Sequence, residues 1–172
     1  VKTPRRAFAA GLSALALSAT MLAAGSAAPA SAAPLNTKLE ARHSGRCLDV
    51  AAASQADGAF VQQWECYPAT NQNWTLTSLG HGYYRVSADH SGKCLDVAEA
   101  SQADNGTVHQ WHCYNTPNQE WKLVQRPSGY FTLVARHSGK CLEIAEGDTY
   151  NGAGAVQRTC SAGRPYQEWR LL

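Results

Sequence analysis

The sequence predicts an all-β fold in which three copies of a four-strand unit close into one body with pseudo-three-fold symmetry. Three observations carry this. The phrase HSGRCLDV at 43–50 returns as HSGKCLDV at 90–97 and as HSGKCLEI at 137–144. Cys47, Cys94 and Cys141 step by 47 residues, as do Cys66, Cys113 and Cys160, and a fixed period of this length marks a repeat architecture. Between the phrases lie short runs rich in aromatic and β-branched residues, with no stretch long enough for an independent helix. Four strands per unit would also suit a propeller blade, but propellers need at least about four blades and this chain holds three units.

The N-terminal segment stands apart from the repeats. Lys2, Arg5 and Arg6 form a basic start, a mildly apolar run follows, and APASAAP ends it with small residues at Ala30 and Ala32, the pattern of a secretory signal peptide cut after residue 32. A membrane anchor is the competing reading, but Gly11, Ser13, Ser18 and Thr20 interrupt the run and cleavage chemistry follows it. The arginine pair leaves both general and twin-arginine export open. Residues 33–172 suit a single domain, with repeats at about 38–82, 83–129 and 130–172. Without the three basic residues of the leader, twelve cationic side chains face thirteen anionic ones, a net charge of −1. A near-neutral chain lacking a basic run has no electrostatic footprint for nucleic acid, and no segment suits membrane insertion; a monomer is expected.

Within each repeat the elements follow in order. YYRVSA and YFTLVA read as first strands, HSGK turns the chain, and CLDV or CLEI forms the second strand. A longer turn such as AEASQADNG leads to the third strand, VHQWHC, where alternation puts Val108 and Gln110 on one face and His109 and Trp111 on the other. NQEWKLV reads as the fourth strand. His43, His90 and His137 recur in every unit and are read as turn residues.

Six cysteines in an exported chain are read first as disulfides. Cys47 and Cys66, Cys94 and Cys113, and Cys141 and Cys160 are each 19 apart, so one bridge per unit is the simplest of fifteen connectivities. Zinc is the rival. No C-x-x-C occurs, and the His109 and His112 of HQWHC would point to opposite faces of a strand, so neither metal nor another cofactor is expected.

The endings of the units, NQNW at 71–74, NQEW at 118–121 and YQEW at 166–169, add a Q-x-W signature to CLDV and the cysteine pair. Together these resemble the ricin B-chain type lectin domain, the β-trefoil also found as a carbohydrate-binding module on bacterial xylanases and related enzymes, and the likeness spans residues 33–172. The resemblance implies that Trp74, Trp121 and Trp169 lie in the shared core. It also implies an oligosaccharide or polysaccharide partner, with galactose-like ends, xylan and arabinan all open. In the first unit Asp49 would accept sugar hydroxyls, Trp64 would stack on the pyranose, Asn71 would meet a further hydroxyl, Gln62 would reach the outer part of the sugar, and Gln72 would hold the Asp. Asp96, Trp111, Asn118 and Gln119 match in the second unit, with His109 where Gln62 stands. The chemistry fits: an aromatic face suits the C–H side of the ring, and an ionised carboxylate accepts strong hydrogen bonds. Strand alternation independently sets Trp64 and Trp111 opposite the face of Val61 and Val108.

The third unit departs from the pattern. Glu143 replaces the Asp, Arg158 falls where the platform Trp stands, and Tyr166 takes the Asn position. The longer acid is expected to carry its carboxylate outward, and this pocket to lose ordinary sugar binding unless Tyr166 supplies a new platform. An enzyme is not expected, because a glycosidase carboxylate pair must share one cleft and Asp49 and Asp96 belong to different units. The alternatives are a trefoil protease inhibitor, on analogy of fold alone, and a binding module separated from a glycoside hydrolase. Intact-mass analysis of exported protein should show a chain beginning at Ala33; a mature form that retains Lys2 through Ala32 would contradict the leader assignment.

Overall fold

The computed structural model describes residues 33–172; the signal-peptide assignment lies outside the described residues. Thirteen short strands form a β-trefoil. The first repeat contributes β1 (Leu35–Thr37), β2 (Leu39–Ala41), β3 (Cys47–Val50), β4 (Val61–Trp64) and β5 (Trp74–Gly80). The second contributes β6 (Tyr83–Ala88), β7 (Cys94–Val97), β8 (Gly106–Trp111) and β9 (Glu120–Gln125), and the third β10 (Phe131–Ala135), β11 (Cys141–Ile144), β12 (Ala155–Arg158) and β13 (Trp169–Leu171). The expected four strands per repeat are present, the first strand of the first repeat being split at Lys38.

The first and last strands of each repeat make a closed barrel. β1 pairs with β5, β5 with β6, β6 with β9, β9 with β10, β10 with β13, and β13 returns to β2. Closure leaves no barrel edge to attract another chain. The hairpins β3–β4, β7–β8 and β11–β12 form a cap, joined by the β8–β12 pairing and by bridges Phe60 to His109 and Gln62 to Gly154.

Trp74, Trp121 and Trp169 are fully buried, as the resemblance implied. Each indole Nε1–H donates to a carbonyl of its own repeat's second strand, at Leu48, Leu95 and Leu142. Burying an indole is worthwhile only when this polar edge finds a partner. Around the indoles pack Leu39, Leu48, Leu76, Leu95, Leu133, Leu142 and Ile144. The disulfides join Cys47 to Cys66, Cys94 to Cys113 and Cys141 to Cys160, tying the start of each hairpin to the residues just beyond it. Each closes a short loop and contributes on the order of 3 kcal/mol.

Two local readings change. NQEWKLV is not one strand: Pro117–Gln119 is a single 3₁₀ turn, as are Thr70–Gln72 and Pro165–Gln167, and the strand begins after it. The turn is what directs Asn and Gln side chains sideways toward the hairpin. The conserved-looking histidines do more than turn the chain. His43 Nε2–H donates to the Asp148 carbonyl, His90 to Ser54 and His137 to Ser101, so each reaches into the neighbouring repeat.

Beside them, Gln63, Gln110 and Gln157 are fully buried and make the same cross-repeat contacts. Gln110 Nε2 donates to the carbonyls of Ser54 and Ala56, Gln157 to Ser101 and Ala103, and Gln63 to Asp148 and Tyr150. Their Oε1 atoms accept from Ser44, Ser91 and Ser138. Removing such a carboxamide leaves buried carbonyls unpaired. Gln110→Ala should therefore lose about 2 to 3 kcal/mol in chemical denaturation; a loss below about 0.5 kcal/mol, the size of a surface change, would show that the seam is not stabilising.

Candidate functional site

In the first repeat, β3 presents Asp49 toward the hairpin's outer end and the 3₁₀ turn after β4 brings Asn71 and Gln72 to it. Asp49 is 2% exposed. Its Oδ2 accepts from Asn71 Nδ2 at 2.8 Å and Gln72 Nε2 at 3.0 Å, and its Oδ1 accepts from Gln62 Nε2 at 3.0 Å. The second repeat repeats this arrangement. Asp96, 4% exposed, accepts at Oδ2 from Asn118 (2.9 Å) and Gln119 (2.8 Å), and at Oδ1 from His109 Nε2–H (2.9 Å). Each Asn spends its second N–H on the following backbone carbonyl, Val50 or Val97. Each Gln also donates to the carbonyl of Glu65 or His112 and accepts from the amide of Tyr67 or Tyr114. Gln72 and Gln119 thus tie carboxylate and chain together.

Trp64 and Trp111 stand at the outer ends of β4 and β8 and are 39% and 36% exposed, whereas Val61 and Val108 are fully buried. The alternation read from sequence is therefore met. His109 stacks on Trp111 with ring centroids 5.2 Å apart, widening the aromatic wall of the second pocket. That pocket is a cavity of about 650 Å³ whose lining includes Asp96, Glu99, His109, Trp111, Tyr114 and Asn118.

Gln62 is nearly buried, and its amide braces Asp49, with β4 bridged to Gly154 of the third repeat. His109 performs the same bracing with a different donor. Two wall residues were missed. Tyr67 Oη lies 3.1 Å from Asn71 Nδ2 and 3.4 Å from Asp49 Oδ2, and Tyr114 lines the second pocket. A signal for them existed: Tyr follows the second cysteine in the first two repeats, while Ser161 follows Cys160 in the third.

In the third repeat the expected outward displacement of the carboxylate does not occur. Glu143 is 0% exposed. Gln167 Nε2 holds its Oε2 at 2.6 Å, and the guanidinium groups of Arg158 and Arg164 stand 3.7 Å from its two oxygens. Arg158 is further paired with Glu146 at 3.2 Å. Tyr166 lies against Gly147: a β-carbon there would sit 2.8 Å from the Tyr166 ring, and the first two repeats carry Ala53 and Ala100 at that place. Tyr166 and the two arginines thus surround Glu143 at the place equivalent to the cavity of the second repeat. Among the described residues no cluster of side chains could hold a metal ion.

The model of the ricin-type beta-trefoil lectin domain matches residues 35–169. Among solved structures, the chain is similar to a designed three-fold symmetric protein, ThreeFoil, at 47% identity and a TM-score of 0.78, over 80% of this chain and 97% of that one. It is similar to part of an exo-β-1,3-galactanase from Clostridium thermocellum at 33% identity and a TM-score of 0.75, over 80% of this chain and 30% of the galactanase. The Rhizoctonia solani agglutinin shares the fold at 21% identity and a TM-score of 0.72, over 84% of this chain and 99% of the agglutinin.

Burial raises the Glu143 carboxyl above its ordinary range, outweighing the Gln167 hydrogen bond and the two arginines. A carboxyl raised on folding contributes stability below its unfolded pKa and loses it as pH climbs through the folded value. Glu143→Gln, which keeps the shape without the charge, should thus gain in melting temperature relative to the parent chain as pH rises from about 4 to about 8. A difference that stays constant across this range would contradict the assignment.

Proposed function

The chain belongs to the ricin-type beta-trefoil lectin family, and from that premise we propose that it is a secreted carbohydrate-binding protein with two working pockets, one in each of the first two repeats. One observation carries the reading: in both repeats a carboxylate braced by Asn, Gln and a strand partner, Gln62 or His109, is followed two residues along that partner's strand face by an exposed indole. Oδ2 of each Asp accepts from both Asn and Gln, with the Tyr67 hydroxyl also 3.4 Å from Oδ2 of Asp49, while Oδ1 accepts one bond and retains a lone pair for a sugar hydroxyl. Asn118 Oδ1 and the Tyr67 hydroxyl supply further polar contacts, and the indole takes the C–H face of the ring.

The ligand class is a galactose-like end or a cell-wall polysaccharide. Similarity to part of an exo-β-1,3-galactanase supports this, and supports a second reading in which such a domain works beside a glycoside hydrolase. The three disulfides support an extracellular location, and no helix among the described residues is long and apolar enough to cross a membrane. Catalysis has no support in the geometry, since each carboxylate is enclosed in its own pocket and braced as an acceptor. Two weak sites on one rigid body suit a polymer, because engaging both can raise avidity by about 10²-fold or more.

Calorimetry on a soluble oligosaccharide, with melting curves as a control, tests the proposal. Trp64→Ala and Trp111→Ala should each weaken binding by about 1 to 2 kcal/mol, the double variant should nearly abolish it, and Arg158→Ala should change little. A folded double variant that binds as before, together with loss of binding in Arg158→Ala, would move the working site to the third repeat.

A further inference from the structure

Each open pocket borrows a wall from the adjacent repeat. The six-membered ring of Trp111 lies over Gly58 of the first repeat: a β-carbon on Gly58 would be 3.4 Å from Cζ3 and 4.0 Å from His109 Nδ1. Trp64 relates to Gly152 of the third repeat in the same way, with Cζ3 at 3.9 Å and Gln62 Oε1 at 3.8 Å. In both cases a β-carbon would already be in van der Waals contact with the same two functions, the platform ring and the side chain that braces the Asp, so the atoms of a longer side chain would have to share their space.

The third repeat supplies an internal control. Beside its hairpin the equivalent residue, supplied by the second repeat, is Asn105. The three positions share one backbone state. Gly58, Asn105 and Gly152 have φ of 76°, 64° and 93°, and their amides donate to Gln110, Gln157 and Gln63 at 2.9 Å. Glycine and asparagine are the residues that adopt this left-handed conformation most readily, so the backbone alone would accept either at all three places. Glycine stands where a Trp ring comes down, and asparagine where Arg158 takes the ring's position.

We infer that Gly58 and Gly152 are positioning residues for carbohydrate binding: they leave the space in which the indoles of Trp111 and Trp64 lie flat, so a pocket is competent only when its own repeat carries Trp and the neighbouring repeat carries Gly. The inference rests on reading these pockets as sugar sites. It makes pocket competence a property of two adjacent repeats rather than of one motif.

Gly58→Asn and Gly152→Asn test it without imposing a backbone that the chain does not already accept at Asn105. In a Trp64→Ala background only the second pocket keeps its platform, and Gly58→Asn should then lower affinity for a soluble oligosaccharide about 3- to 10-fold, the scale of one aromatic contact. In a Trp111→Ala background Gly152→Asn should do the same to the first pocket. Crossing the pairs should leave affinity unchanged, which a general loss of stability would not. Acrylamide quenching supplies a readout independent of sugar: Gly58→Asn should expose Trp111, and Gly152→Asn should expose Trp64. Unchanged quenching and affinity in folded variants would overturn the inference. Raised quenching in a chain that binds no oligosaccharide in any background would uphold the buttress and refute the sugar reading instead.

Discussion

The seam between repeats depends on one buried carboxamide, used three times. Gln63, Gln110 and Gln157 bind two carbonyls of the adjacent repeat through the side chain, accept a serine of their own repeat, and exchange backbone bonds with the neighbour's hairpin. A single residue thus satisfies a loop that would otherwise carry unpaired carbonyls into the interior, where each costs about 1 to 3 kcal/mol. The loops concerned include left-handed non-glycine residues, Ala52 and Ala53, Glu99 and Ala100, and Glu146, which persist only where the surroundings fix them. The same loops deliver Gly58, Asn105 and Gly152 to the adjacent hairpin. Fold and pocket therefore share a cause.

A second recurrent amide, in Gln72, Gln119 and Gln167, does for the site what the first does for the seam. It fixes the carboxylate, and it does so in all three repeats, including the one whose pocket is filled. The motif marks an architecture for holding an acid and says nothing about access to it. Access is decided by what surrounds the acid: Trp, Tyr and Asn with a neighbouring Gly in two repeats, and Arg158, Arg164 and Tyr166 in the third. In the third repeat the Asn donor is absent and two partly exposed guanidinium groups stand over the buried carboxylate instead.

Much of this was legible before any coordinates, because three copies in one chain act as their own comparison. Strand order, bridge pairing and the outward phase of Trp64 and Trp111 follow from period and alternation, which are local properties. What was not legible depends on side-chain contacts that no local pattern carries. Glu143 is held inward by Gln167 at 2.6 Å, and Arg164, which stands before the 3₁₀ turn where the other repeats have Ala69 and Thr116, lies 3.7 Å from it. The burial of Gln62 is set by Gly154 across the cap. Gln63, Gln110 and Gln157 were visible as a recurrence, but their partners are backbone carbonyls, which no residue type reveals. Tyr67 and Tyr114 were visible as a recurrence lost in the third unit, the same pattern that drew attention to the Trp.

The central claim is that two of three similar pockets are open to sugar and the third is closed by its own side chains. A crystal structure of the chain soaked with a soluble oligosaccharide tests it most directly. The account predicts sugar density at Asp49 and Trp64 and at Asp96 and Trp111, with Arg158, Arg164 and Tyr166 unmoved around Glu143. Sugar bound against Glu143, with the first two pockets empty, would contradict it.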